Sequence, residues 1–237
     1  MKKRPEVTIF SVDGLNSTGK TTQLQYLKQQ LAADGVPTAI RRGDGARRGL
    51  GLMEADPPSD WWIAHHPQIA EAGVSGPESW HMATFASRRL MDELVEFVRE
   101  EFPSRLSELG KNRGVVLLDR GPVSRLFVAR RYVPGISFEE AMGIDEKPAY
   151  AEVLPKSIAV LHADENTLHD RNVGRPDDEQ KKQFNKNIVS SYHADFQGLI
   201  ANLPSPLVER TRLIDASPPA EVVGRLVLAE LTQAIEG

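Results

Sequence analysis

The sequence predicts one α/β domain in which helices cover both faces of a parallel sheet. Five short apolar runs recur along the chain and amphipathic segments separate them, which is the alternation that builds parallel sheets. No repeat, low-complexity tract or interdomain linker interrupts the 237 residues. Since this length suits one large α/β domain, we assign residues 1–237 to a single domain.

The elements of this domain can be read in order. The predicted strands comprise residues 7–12, 36–41, 114–119, 157–162 and 210–215, and the clearest helices comprise residues 21–33, 78–101 and 219–235. Gly35 is a stop signal for the first helix, and Pro103 is expected to end the second. Residues 43–77 are predicted as an irregular insertion. It is either a functional loop or a solvent-exposed insertion that covers a small satellite core.

Composition excludes several classes of protein. The chain contains no cysteine, which excludes disulfides, thiolate metal sites and a cysteine nucleophile. A net charge of −4 argues against a surface built to bind nucleic acid. No run approaches the roughly 18 apolar residues of a membrane span, so we expect a cytoplasmic protein with no membrane partner.

A glycine-rich loop follows the first predicted strand. Residues 14–21 read G-L-N-S-T-G-K-T and match the Walker A pattern of P-loop proteins, G-x-x-x-x-G-K-[ST], at every fixed position. Glycines let consecutive N–H groups turn around phosphate oxygens, and the N-terminus of the next helix adds about half a positive charge. We expect Lys20 to reach the β- and γ-phosphates of ATP and Thr21 to bind Mg²⁺. The predicted ATP-binding residues are Gly14, Asn16, Ser17, Thr18, Gly19, Lys20, Thr21 and Thr22.

A carboxylate and an arginine end the third predicted strand. The carboxyl ends of parallel strands meet at one edge of a sheet, so Asp119 would lie beside the phosphate loop and could hold the water shell of the metal. Arg120 would touch a transferring or accepting phosphate. The alternative is that Asp119 caps the helix that follows.

Two arginines follow the fourth predicted strand. Arg171 and Arg175 are four residues apart, and a glycine lies between them. We interpret approximately residues 170–180 as a mobile lid that closes over the phosphates and excludes water. The alternative is an exposed helix face on which these arginines pair with Asp170 or Asp177.

These three elements, in this order and spacing, resemble the thymidylate kinase-like branch of the nucleoside monophosphate kinases. The likeness extends from residues 10–23 to residues 213–217. It implies a P-loop kinase fold, which is a three-layer sandwich with a five-stranded parallel sheet flanked by helices and a small lid. It also implies transfer of a phosphoryl group from ATP, with Mg²⁺, to a nucleoside monophosphate, above all a deoxypyrimidine monophosphate such as dTMP. A homodimer and a role in nucleotide biosynthesis follow from the same resemblance.

The resemblance assigns roles to single residues. Arg42 falls on the family's basic position after the second strand, and Arg89 on the arginine of the helix that grips the acceptor phosphate. Phe85 falls near the acceptor base, and Asp13 falls on an acidic position beside the phosphate loop. Together with the motifs, the resemblance implies that the catalytic residues are Lys20, Arg120, Arg171, Arg175 and Asp13. It implies as acceptor-binding residues Arg42, Asp44, Phe85, Arg88, Arg89, Asp119, Arg120 and Ser124, and as metal ligands Thr21 and Asp119.

The chain also departs from the family pattern. Residues 42–46 read R-G-D-G-A where the family has R-E-P-G-G. Gly121 replaces a tyrosine, and Val128 and Ala129 stand where the family has a Tyr-Gln pair near the base. Two other functions therefore stay open. One is a kinase of a neutral hydroxyl acceptor, such as a deoxynucleoside or a specialised metabolite, with Asp44 as general base; the other is a non-catalytic nucleotide-binding regulator.

Overall fold

Five parallel strands form one sheet in the order β2-β3-β1-β4-β5. The structure is a computed structural model that describes residues 4–42, 88–174 and 179–237. The strands are β1 (Glu6–Gly14), β2 (Thr38–Arg42), β3 (Arg113–Asp119), β4 (Ser157–His162) and β5 (Thr211–Asp215). Every neighbouring pair is parallel, which confirms the five-stranded parallel sheet that the sequence predicts.

Helices connect the strands and flank the sheet. They are α1 (Lys20–Ala33), α2 (Arg88–Glu96), α3 (Phe102–Glu108), α4 (Pro122–Tyr132), α5 (Phe138–Met142), α6 (Glu165–Val173), α7 (Glu179–Ala201), α8 (Ser205–Val208) and α9 (Ala220–Glu236). A π-helical turn (Phe97–Glu101) and a 3₁₀ helix (Pro148–Val153) complete the elements in the described ranges. α1 and α9 pack against each other and against the sheet, whereas α3 contacts β1 and β3 and α4 contacts β1. No helix in the described part of the chain has the length and apolar character that a membrane crossing needs.

The central strands are buried along most of their length. Residues 8–14 of β1 and residues 114–119 of β3 are buried without interruption. A parallel strand with helices on both faces needs such a continuous run, because neither face meets solvent. Two carboxylates at the ends of these runs, Asp13 and Asp119, are therefore buried as well, at the carboxyl edge of the sheet.

Most predicted boundaries lie within two residues of the observed ones. β1 continues two residues further than predicted, to Gly14, and β2 begins at Thr38 rather than at residue 36. The predicted helices 21–33 and 219–235 correspond to α1 and α9. Element ends depend on backbone hydrogen bonds, which an apolar pattern does not encode.

Pro103 does not end the long amphipathic segment, and that prediction is wrong. The helical path runs from α2 through the π-helical turn into α3, and Pro103 lies in the first turn of α3. Proline lacks an N–H group and crowds the carbonyl group four residues earlier. The π-helical turn spreads the backbone just before it, since the Phe102 N–H group bonds to the Phe97 oxygen five residues back. Of the predicted helix, residues 78–87 lie outside the described residues.

Candidate functional site

The phosphate loop lies between the carboxyl end of β1 and the first turn of α1. Three of its residues have left-handed backbone angles: φ is +136° at Gly14, +67° at Ser17 and +90° at Gly19. A Cβ atom on Gly14 would lie only 2.4 Å from the carbonyl oxygen of Leu161, so no larger residue fits where the loop closes on β4. Left-handed residues within a turn direct successive N–H groups to one side, which forms a concavity that suits an anion.

Two polar side chains of this loop donate to the same carbonyl group. Lys20 is buried, and its Nζ donates a hydrogen bond of 2.6 Å to the Leu15 oxygen. Thr18 Oγ1 donates to the same oxygen at 2.9 Å. Ser17 Oγ is buried and makes no hydrogen bond with any residue of the described ranges. The first turn of α1 contains no acidic residue, so its N-terminal charge is available to an anion.

Asp13 holds the start of α4 against β1. The Asp13 side chain is fully buried, and its Oδ1 accepts hydrogen bonds from the backbone N–H groups of Gly121 and Ser124, each at 2.9 Å. Its Oδ2 accepts a hydrogen bond of 2.8 Å from Ser11 Oγ. Burial raises the pKa of Asp13, and the hydrogen bonds from Ser124, Ser11 and Gly121 oppose that rise. Both carboxylate oxygens thus serve the fold, and the catalytic role of Asp13 stays a prediction.

The close packing of Ser11 and Asp13 against residue 121 requires a glycine at that position. A Cβ atom at residue 121 would lie 2.1 Å from Ser11 Oγ and 3.1 Å from Asp13 Oδ2. A side chain of any size would therefore separate the start of α4 from β1. In this chain there is accordingly no room at residue 121 for the tyrosine of the family pattern.

Arg120 reaches the phosphate loop from the end of β3. Its backbone is left-handed, with φ of +64°, and its N–H group bonds to the Val12 oxygen at 3.1 Å. This conformation directs the side chain to Asn16 of the phosphate loop, whose Oδ1 accepts a hydrogen bond from Nη2. Asp119 is buried, and its neighbours in the sheet register are Val12 and Arg42. Residues of the phosphate loop and of the end of β3 therefore meet at the carboxyl edge of the sheet.

A pocket extends from the phosphate loop toward α4 and α7. Its polar end is formed by Asn16, Arg120 and Ser124, together with Gly14 and Leu15, and its apolar end is formed by Phe127, Val128, Tyr192 and Phe196. The Phe127 ring lies edge to face with those of Tyr192 and Phe196, with centroids 5.7 and 5.1 Å apart. The two aromatic residues of α7 are not among the site residues predicted from the sequence. Their spacing of four residues marks one helix face, but it does not tell what that face contacts.

Arg171 lies against the loop that follows β5. Its Nη2 donates hydrogen bonds to the carbonyl oxygens of Ala216 and, at 3.3 Å, Ser217. The Asp215 carboxylate before them accepts the Ser217 N–H group at 2.8 Å. Hydrogen bonds from Ser217, and then the nearby charges of His162 and Arg171, lower the pKa of Asp215. Arg171 thus connects α6 to the loop after β5, which lies on the other side of β1 from Arg120.

The other predicted site residues differ in what the structure describes of them. The backbone of Arg42 ends β2, and the backbones of Arg88 and Arg89 begin α2. Thr21 and Thr22 are exposed at the start of α1. The whole predicted insertion at 43–77, which includes Asp44, lies outside the described residues, as do Phe85 and Arg175.

The residues predicted to bind Mg²⁺ suit the way that this ion binds beside nucleotides. Magnesium keeps several waters and is held by one or two protein groups together with phosphate oxygens. The Thr21 hydroxyl and the Asp119 carboxylate are oxygen donors of that kind, at the start of α1 and the end of β3. Within the described residues no cluster of three or more His, Cys, Asp or Glu side chains offers an all-protein metal site.

Comparison with known proteins finds a distant relative that covers nearly the whole chain. No family model matches the chain. A thymidylate kinase of Pelotomaculum thermopropionicum is 27% identical over 230 residues, which cover 94% of this chain and 92% of that protein. The similarity therefore extends over nearly the full length of both proteins and is not confined to the phosphate loop. Together with the order of the parallel sheet, it confirms that the chain resembles the thymidylate kinase-like P-loop proteins as a distant relative.

Proposed function

We propose that the protein transfers the γ-phosphoryl group of ATP to a nucleoside monophosphate and so forms the diphosphate. One observation carries the proposal: Arg120, the arginine predicted to hold the acceptor, bonds to Asn16 of the loop predicted to hold the donor. A donor site and an acceptor site joined in this way would bring two phosphates together. The full-length similarity to a protein named thymidylate kinase supports the same activity.

The order of the strands supports a division of the cleft into two sides. β1, with the phosphate loop, lies between β3 and β4. Arg120 follows β3, whereas the loop contacted by Arg171 follows β5 on the opposite side. Ligands of open parallel sheets bind at the carboxyl ends of the strands, so both substrates would lie at this edge. We assign the acceptor to the β3 side, which holds Arg120, and the nucleoside of ATP to the remaining β5 side.

On the donor side, the loop backbone and Lys20 would hold the β- and γ-phosphates. The Lys20 amino group lies at the loop carbonyl of Leu15, close to where those phosphates would be bound. Thr21 and Asp119 would hold Mg²⁺, which would neutralise part of the charge of the phosphates when bound. Because Lys20 is buried, its charge acts on the transferring group with little screening by solvent.

On the acceptor side, Arg120 would bind the monophosphate together with Arg42, Arg88 or Arg89. Two polyanions repel each other, and guanidinium groups offset this repulsion while they align the attacking oxygen. A phosphate oxygen is already a competent nucleophile, so the proposed reaction needs no general base. Arg171 and Arg175 would neutralise charge on the transferred group when the lid closes, and Arg171 would first have to leave the Ala216 carbonyl group.

For the acceptor itself we propose a deoxypyrimidine monophosphate such as dTMP. The name of the relative supports this choice, and the pocket beyond Arg120 ends in the aromatic rings of Phe127 and Tyr192, which suit a flat base. We further propose a cytoplasmic homodimer that acts in nucleotide biosynthesis.

A panel of acceptors tests the proposal. The purified protein is incubated with ATP, Mg²⁺ and each of a set of nucleosides and nucleoside monophosphates, and the products are separated by chromatography. We expect a diphosphate product, fastest from dTMP. Phosphorylation of a nucleoside but of no monophosphate would overturn the proposal in favour of a hydroxyl acceptor. Binding of ATP without transfer to any acceptor would favour a regulator.

A further inference from the structure

The apolar end of the pocket is held by an arginine that does not line it. Arg131 lies in the last turn of α4, and its guanidinium carbon is 4.0 Å from the centroid of the Tyr192 ring. The same guanidinium donates a hydrogen bond from Nη1 to Asp195 Oδ2. Tyr192 and Asp195 are neighbours on one face of α7, so a single side chain of α4 contacts both.

The Tyr192 ring is therefore fixed by two residues of the same helix. Phe127 lies four residues before Arg131 on α4 and meets the ring edge to face. Arg131 lies over the ring, in the geometry of a cation–π contact. The Arg131 side chain is 30% exposed and that of Asp195 is 58% exposed, so solvent and salt screen the ion pair. The stack on the buried Tyr192 ring is the more sheltered of the two contacts.

We propose that Arg131 is a positioning residue for the acceptor pocket: it sets the place of the Tyr192 ring by stacking on it and by pairing with Asp195. The inference rests on the proposed function, since Tyr192 lines the pocket assigned to the acceptor. Without Arg131 the ring gains freedom to turn, and α7 gains freedom to move away from α4. The pocket then fits the acceptor less well, whereas the phosphate loop and Arg120 keep their own contacts.

Four variants separate this role from a general effect on stability. Arg131→Met keeps a long apolar stem and removes the charge, and Arg131→Lys keeps the charge and removes the planar stack. Asp195→Asn removes the ion pair and leaves the stack. The matched control is Arg99→Met, which removes an exposed arginine–carboxylate pair with Glu152 between the π-helical turn and the 3₁₀ helix, away from the pocket.

The measurements are kcat, KM for ATP and KM for the acceptor that the wild type uses best, with urea unfolding as a check of folding. For Arg131→Met we expect KM for the acceptor to rise about 3- to 10-fold, while kcat and KM for ATP change less than about twofold. Arg131→Lys and Asp195→Asn should give smaller increases in the same KM alone, and Arg99→Met should give none.

The outcomes distinguish this inference from the proposed function. An active wild type whose acceptor KM is unchanged in Arg131→Met overturns the inference alone, as does an equal rise in both KM values. If Arg131→Met fails to fold, Arg131→Lys and Asp195→Asn decide by the same criterion. If the wild type phosphorylates only a nucleoside, the proposed function is wrong. The inference about Arg131 is then tested by comparing KM for that nucleoside between the wild type and Arg131→Met. A wild type inactive toward every acceptor overturns both.

Discussion

Asp13 Oδ1 lies 2.9 Å from the backbone nitrogen of Gly121, a residue 108 positions further along the chain. This hydrogen bond joins the strand that leads into the phosphate loop to the residue that follows Arg120. The two halves of the proposed site are thus fixed to each other by one buried carboxylate. A change that breaks this hydrogen bond should therefore affect stability and activity together.

Two substitutions of Asp13 separate its structural role from its charge. In Asp13→Asn the amide oxygen can accept the N–H groups of Gly121 and Ser124, and the amide nitrogen can donate to Ser11. We expect this variant to unfold in urea almost as the wild type does. Asp13→Ala leaves two buried N–H groups without an acceptor and should lower the free energy of unfolding by about 2 kcal/mol. A large loss of kcat in a stable Asp13→Asn variant would support the catalytic role that the resemblance implies.

Gly121→Ala should destabilise the protein through overlap with Ser11. The added Cβ atom would lie 2.1 Å from Ser11 Oγ, so the start of α4 must shift. We expect the free energy of unfolding to fall by roughly 1–3 kcal/mol, as for other overpacked cores. Ser11→Gly in the same chain removes the overlapping atoms and should restore part of the loss, which urea unfolding of both single variants and the double variant measures. Additive effects of the two substitutions would contradict this explanation.

These contacts also show what the sequence could predict. The phosphate loop and the strands were predictable because each is encoded by neighbouring residues, so Lys20 lies at the start of α1 as the motif requires. The requirement for glycine at residue 121 could not be predicted, since it depends on contact with Ser11, which lies far away in the sequence, in β1. The aromatic pair of α7 enters the pocket for the same kind of reason: the packing of α7 on α4 is long-range. At Pro103 a local rule failed because the π-helical turn before it relieves the clash.

Lys20→Ala should abolish most phosphoryl transfer without unfolding the protein. Lys20 contacts the loop carbonyl of Leu15, and its charge would neutralise the transferred phosphate. Loss of such a group typically lowers kcat by about 100- to 1,000-fold. The control is Lys28→Ala, which removes an exposed lysine from the same helix. Steady-state kinetics and circular dichroism measure both effects, and a near-normal kcat in Lys20→Ala would refute the assigned phosphate site.

Asp215 should contribute stability that is lost in acid. Its pKa is lowered in the folded protein, mainly by hydrogen bonds from Ser217. A carboxylate of this kind stabilises the fold fully above its ordinary pKa of 3.8, and the contribution disappears as the pH falls through the lowered value. The wild type should therefore exceed Asp215→Asn in urea midpoint at neutral pH, and the two midpoints should converge below about pH 3.8. A difference that stays constant with pH would rule out this linkage.

Arg171→Ala should lower kcat more than it raises KM for ATP. Its guanidinium is proposed to neutralise charge on the transferred group, and it also supports the loop of Ala216 and Ser217 on the side assigned to the nucleoside of ATP. We expect kcat to fall about tenfold or more and KM for ATP to rise less than kcat falls. Arg210→Ala is the matched control, because Arg210 donates to a carbonyl group in a similar way, at 2.9 Å from Pro155, but away from the cleft. If KM for ATP rises while kcat stays unchanged, Arg171 only supports the loop that follows β5, and its assignment to the transferring group is wrong.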